Sequence, residues 1–93
     1  MMYAKMLKNG IQDADLSLAQ ICRRLSRKGV ILDKAILSKL QNGKLAPARD
    51  EINVALADIL GIDSKKFRIA AVKETLSGEL LQLIKDDLLS DVS

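Results

Sequence analysis

The apolar residues of this chain arrive in short clusters at three- and four-residue spacing, each bounded by a residue that starts or stops a helix. A half-buried strand would alternate with a period of two, so this pattern restricts the chain to short amphipathic helices. Tyr3 to about Ala14 reads as a first helix, with Ala4, Leu7 and Ile11 in step until Asp13 and Asp15 interrupt it. Ser17 is a strong N-cap for the second: Gln20 completes a capping box, and Leu16 and Ile21 are placed for a hydrophobic staple. That helix runs to about Ser26 with Leu18, Ile21, Cys22 and Leu25 on one face. Arg27-Lys28-Gly29 breaks the pattern, and Val30-Ile31-Leu32 reads as a short extended piece.

Asp33 caps a third helix through Gln41, with Ile36, Leu37 and Leu40 inward and Lys34, Ala35, Ser38 and Lys39 outward. Asn42-Gly43 stops it, since glycine takes the left-handed C′ conformation without steric cost. Pro47 pre-sets the entry to a fourth helix, where Asp50 and Glu51 suit the dipole and Ile52, Leu56, Ile59 and Leu60 form the stripe. Gly61 ends that helix, and Asp63 caps a fifth carrying Phe67, Ala70 and Ala71. Leu76, Leu80, Leu83, Ile84 and Leu88 then continue at helical spacing with an acidic back. This last stretch either closes the core or forms a dimer seam, and the leucine stripe with its acidic back favours the seam.

Composition agrees with an all-α chain of one domain. Hydrophobic residues make up 48% of the 93 but aromatics only 2%, so the core is built from Leu, Ile, Val, Ala and Met. Met1, Met2 and Met6 are expected to fill apolar gaps, and Cys22 to be a small core residue. A lone cysteine excludes an intramolecular disulfide and suits a reducing, cytoplasmic setting. No apolar run approaches a membrane span. Histidine is absent, which removes Ser-His-Asp and Cys-His catalysis and His-ligated metals. Nothing in the chain supplies a catalytic, cofactor or metal site, and the reading is of a protein that is not an enzyme.

The net charge of +3 is unevenly spread. Arg23, Arg24, Arg27, Lys28, Lys34, Lys39, Lys44 and Arg49 face only Asp33 in their interval, whereas Glu74, Glu79, Asp86, Asp87 and Asp91 oppose Lys85 near the end. A basic middle of this kind implies a localised anion-binding face. Two short helices, the second basic and polar outward, follow the plan of a helix-turn-helix, in which the second lies in the major groove of DNA. Lys34, Ala35, Ser38 and Lys39 occupy the outward places near that helix's start.

Three separate motifs carry a family resemblance. Leu16-Ser17-Leu18-Ala19-Gln20-Ile21-Cys22-Arg23-Arg24-Leu25 resembles the second helix of Cro/C1-type helix-turn-helix domains, the XRE family. Leu37-Ser38-Lys39-Leu40-Gln41-Asn42-Gly43-Lys44, with Ala46-Pro47 after it, resembles that family's recognition-helix ending, and Leu56-Ala57-Asp58-Ile59-Leu60-Gly61-Ile62-Asp63 its LGV-D signature. The likeness covers roughly residues 7–67, with the motifs in family order.

It implies a five-helix lambda-repressor-like domain over residues 1–70, with a C-terminal amphipathic helix over 71–93 as a possible dimerisation element. It also implies binding of operator DNA, usually as a homodimer. Lys34, Ala35 and Lys39 then match base-facing positions, Asn42 and Lys44 a phosphate-contacting loop, and Ser17 and Leu18 a second phosphate point. The chain departs from the family in a turn longer by about five residues between Leu25 and Leu32, which offers Arg27 and Lys28 as extra backbone contacts. Leu18 stands where glutamine is common, and Ala48 where a capping serine is common. The expected function is a sequence-specific DNA-binding transcriptional regulator. The alternative is a protein-interaction module on the same fold, an anti-repressor or antitoxin-like partner working through the C-terminal helix.

Overall fold

The computed structural model describes residues 2–76 and Leu83. Five helices follow one another: α1 (Met2–Ala14), α2 (Leu18–Arg27), α3 (Lys34–Gln41), α4 (Asp50–Leu60) and α5 (Ser64–Thr75). No strand occurs among the described residues, and residues 30–33 are irregular. No helix among them is long and apolar enough to cross a membrane.

The ends are set by local chemistry. The Ser17 hydroxyl oxygen accepts from the Gln20 N–H at 3.1 Å while the Gln20 side chain accepts from the Ser17 N–H at 2.8 Å, so the capping box is complete. Asp33 and Asp63 accept from the Ala35 and Lys66 amides. α2 closes in a Schellman motif: the Gly29 N–H donates to Ser26 and the Val30 N–H to Leu25, with Gly29 at φ 80°. α3 closes the same way, Gly43 donating to Leu40 and Lys44 to Lys39, with Gly43 at φ 70°. The long turn therefore begins as an ordinary helix stop. α4 lacks a side-chain cap at Arg49.

α1 packs on α3, α4 and α5, α2 on α3 and α4, and α4 on α5. Leu7, Ile21, Leu25, Leu37, Leu56 and Phe67 are completely enclosed, each such burial being worth ~1.5–3 kcal/mol. Leu16, Leu18, Cys22, Val30, Leu32, Ile59 and Ile62 pack around them half-buried. Gly10 is buried where α1 meets the end of α4; a Cβ there would lie 2.6 Å from Ile62 Cδ1.

Three expectations are corrected. Ile36 is exposed, because the whole first turn of α3, Lys34 to Ile36, stands clear of the core and only Leu37 and Leu40 are enclosed. Met2 is 68% exposed and fills no gap, since α1 enters the core at Tyr3; Met6 does pack on the core. Residues 71–75 belong to α5, with Ala71 in the core, so a separate terminal helix does not begin at residue 71. Met1, Leu80, Ile84 and Leu88 lie outside the described residues.

Candidate nucleic-acid interface

The outward arc of α3 carries Lys34, Ala35, Lys39 and, just past its end, Asn42, all exposed, with Ser38 half-buried among them. Their spacing puts them within one side of the helix, opposite Leu37. The Asp33 carboxylate, a nearby negative charge, is held at 2.8 Å by the Ala35 N–H and so caps its own helix. Among the described residues no carboxylate pairs with Lys34, Lys39 or Lys44.

Lys44 is positioned by backbone. Its N–H donates to the Lys39 carbonyl at 2.9 Å, so the loop folds back on the helix end. Asn42 is fixed too: its backbone N–H and its Nδ2 both donate to the Ser38 carbonyl, at 3.2 and 2.8 Å. The strand of loop that follows is anchored from beneath. Asn53 Nδ2 donates to the Ala48 carbonyl at 2.7 Å, the Tyr3 hydroxyl donates to Asn53 Oδ1 at 2.6 Å, and the Ala48 N–H donates to the Tyr3 oxygen at 3.4 Å. Tyr3 also stacks on Phe67, ring centroids 4.7 Å apart. Burial, above all, pushes the Tyr3 phenol up to about 12, so it stays a neutral donor. The Pro47 and Ala48 segment is thus tied to α1 and α4, which carries the α3–α4 loop in a fixed path. Neither Tyr3 nor Asn53 was foreseen as a supporting residue.

Ser17 is exposed at the head of α2; its oxygen holds the Gln20 amide, which leaves its hydroxyl proton to donate. Leu18 turns onto the core, consistent with its not being a polar contact. Arg27 is exposed at the other end of α2. Lys28 goes elsewhere: its ammonium pairs with Asp58 on α4, so the extended turn does not present it as a free cation. Cys22 sits half-buried, and burial followed by the Asp33 charge pushes its thiol up, the Lys34 charge acting the other way; it is held as thiol. Leu76 is half-buried at the end of α5 and Leu83 is 58% exposed.

An open concavity lies away from this arc. It measures about 1000 Å³ and runs between the extended turn and α4, with Val30, Val54 and Ile62 in its lining and Glu51, Asp58 and Asp63 as its carboxylates. Ile31, beside Val30, is 80% exposed. Among the described residues no three His, Cys, Asp or Glu side chains are grouped to hold a metal ion. No family model, no curated protein and no solved structure matches this chain.

Proposed function

We propose that this protein is a sequence-specific double-stranded DNA-binding regulator of transcription, built on a lambda-repressor-like helix-turn-helix plan and acting by binding rather than catalysis. The observation that carries the reading is the outward side of α3: its first turn stands clear of the core, and Lys34, Ala35 and, in the last turn, Lys39 are exposed on one side. The major groove of DNA has the width to admit such a helix. Lysine ammonium groups pair with guanine acceptors there, and the Ala35 methyl suits contact with a thymine methyl. Ser38 is half-buried and contributes at the edge of that surface.

Ser17, Arg27, Asn42 and Lys44 supply phosphate contacts on either side, which fix register and provide most of the affinity. Lys28 leaves this set because of its pairing with Asp58. The protein acts as a homodimer through the leucine stripe from Leu76 onward, and reads two half-sites about one helical turn apart.

The test is selection of duplexes from a random DNA pool, repeated with Lys34 and Lys39 both changed to alanine. An enriched motif that disappears in the double variant is expected. No enrichment at low salt would overturn the reading.

One observation favours a second reading, a protein-interaction module such as an anti-repressor or antitoxin-like partner. The groove between the extended turn and α4 combines an apolar lining with carboxylates, beside an Ile31 that packing does not explain. Capture of a tight protein partner by a chain that binds no duplex would make this the leading reading.

A further inference from the structure

The basic residues of α2 are not scattered over its surface. Gln20, Arg23, Arg24 and Arg27 fall at i, i+3, i+4 and i+7, one side of a helix, and together line a small polar depression of about 160 Å³. The opposite side holds the enclosed Ile21 and Leu25. All four are exposed, and among the described residues none of the three guanidinium groups pairs with a carboxylate. Like charges at these spacings repel and weaken a helix. The helix dipole favours Arg24 and Arg27 in the last turn, but gives no reason for Arg23.

The stripe also has a head. Ser17 lies three residues before Gln20, so the hydroxyl that caps α2 begins the same line of side chains. From Ser17 to Arg27 the helix rises about 15 Å. Guanidinium forks bind phosphate oxygens two at a time, and keep their charge at any accessible pH. Three of them in a row on a rigid helix suit a run of regularly spaced anions rather than one small ion.

The geometry points to a second phosphate tract: Arg23, Arg24 and Arg27 grip the backbone of duplex DNA along the side of α2, beyond the Ser17 contact and independently of the α3 arc. This inference rests on the DNA-binding reading. It assigns α2 a role in affinity on every sequence, while α3 discriminates among sequences. It also makes α2 more than a brace: the phosphates it holds set how far the footprint extends past the bases α3 reads.

The experiment measures binding to a random-sequence duplex across a salt series. The parent protein is compared with R23Q/R24Q/R27Q and with K65Q/K66Q/K73Q. Both triple variants lose the same charge, but the second loses it on α5. Glutamine is a good helix former, and a thermal melt of each variant reports folding separately. Each phosphate contact contributes about 0.9 to the slope of log affinity against log salt. The α2 variant is therefore expected to bind with a slope smaller by about 2–3, and the α5 variant with a slope changed by less than about one. Equal changes in both variants, or no change in the α2 variant, would overturn the tract while leaving duplex binding by α3 intact. Either result would assign the stripe to net charge or to an acidic protein surface. A parent protein that binds no duplex at low salt would overturn this inference and the DNA reading together.

Discussion

The Tyr3 hydroxyl donates to Asn53 Oδ1 at 2.6 Å and so joins the first helix to the fourth inside the core. Both residues are 1% exposed, and neither polar group has water to fall back on. Asn53 passes the connection on to the Ala48 carbonyl, and Ala48 returns it to Tyr3. Every member is satisfied, which is the condition under which a buried polar network stabilises rather than weakens a core. Tyr3→Phe keeps the stacking on Phe67 but leaves Asn53 Oδ1 without its donor. A loss of about 1–3 kcal/mol is expected by urea denaturation. An unchanged midpoint would show that the hydroxyl is dispensable.

The same phenol gives a pH dependence. Its folded value, about 12, lies above the ordinary 10.0, so the folded state holds the proton more tightly. The resulting stabilisation is full below pH 10 and is lost as pH rises through 12. It amounts to about 3 kcal/mol in all. Tyr3→Phe has no such group, and its stability should fall less over that interval than the parent's. Parallel curves for the two proteins between pH 9 and 12 would contradict the assignment.

Ser17 has two separable roles. Its oxygen caps α2, and its hydroxyl proton is free to meet a phosphate. Aspartate caps as well as serine but carries a negative charge. Ser17→Asp is expected to keep thermal stability within about 0.5 kcal/mol of the parent. Binding to any duplex should weaken by about 1 kcal/mol or more, through repulsion of phosphate. Undiminished duplex binding would remove Ser17 from the contact set.

These cases show what the sequence makes legible. Helix ends come through because their chemistry is local: Ser17 and Gln20 are three residues apart, and Gly29, Gly43 and Gly61 each follow the helix they stop. Tyr3 and Asn53 lie 50 positions apart, and no periodicity connects them. Ile36 belongs to the apolar pattern of α3 and still reaches solvent, because periodicity gives a direction around a helix and not the depth of each turn. Lys28 read as a free cation until α4 brought Asp58 beside it. The arginines of α2 lie at helical spacing in the sequence, yet only the folded chain shows that none of them pairs with a carboxylate among the described residues.

The proposed seam is tested by Leu80→Asp. A charge in an apolar helix seam is strongly unfavourable, so a parent dimer should become a monomer at micromolar concentration in sedimentation. A parent protein that sediments as a monomer, both alone and on DNA, would dispose of the seam.

Lys39 and Lys44 are tied by one hydrogen bond, from the Lys44 N–H to the Lys39 carbonyl, yet the proposed reading gives them different work. Lys39 lies on the outward arc of α3, where a lysine reaches guanine acceptors. Lys39→Ala should weaken binding to the selected motif by about 1–3 kcal/mol and leave random duplexes nearly unaffected. Lys44 sits in the loop beyond the helix, directed by backbone rather than by a base-facing helix side. Lys44→Ala should weaken binding to all duplexes alike and reduce the salt slope by about one. The two substitutions remove the same charge, so net electrostatics cannot separate them. If both lower specific and random binding equally, Lys39 is a phosphate contact and base reading falls to Lys34 and Ala35 alone.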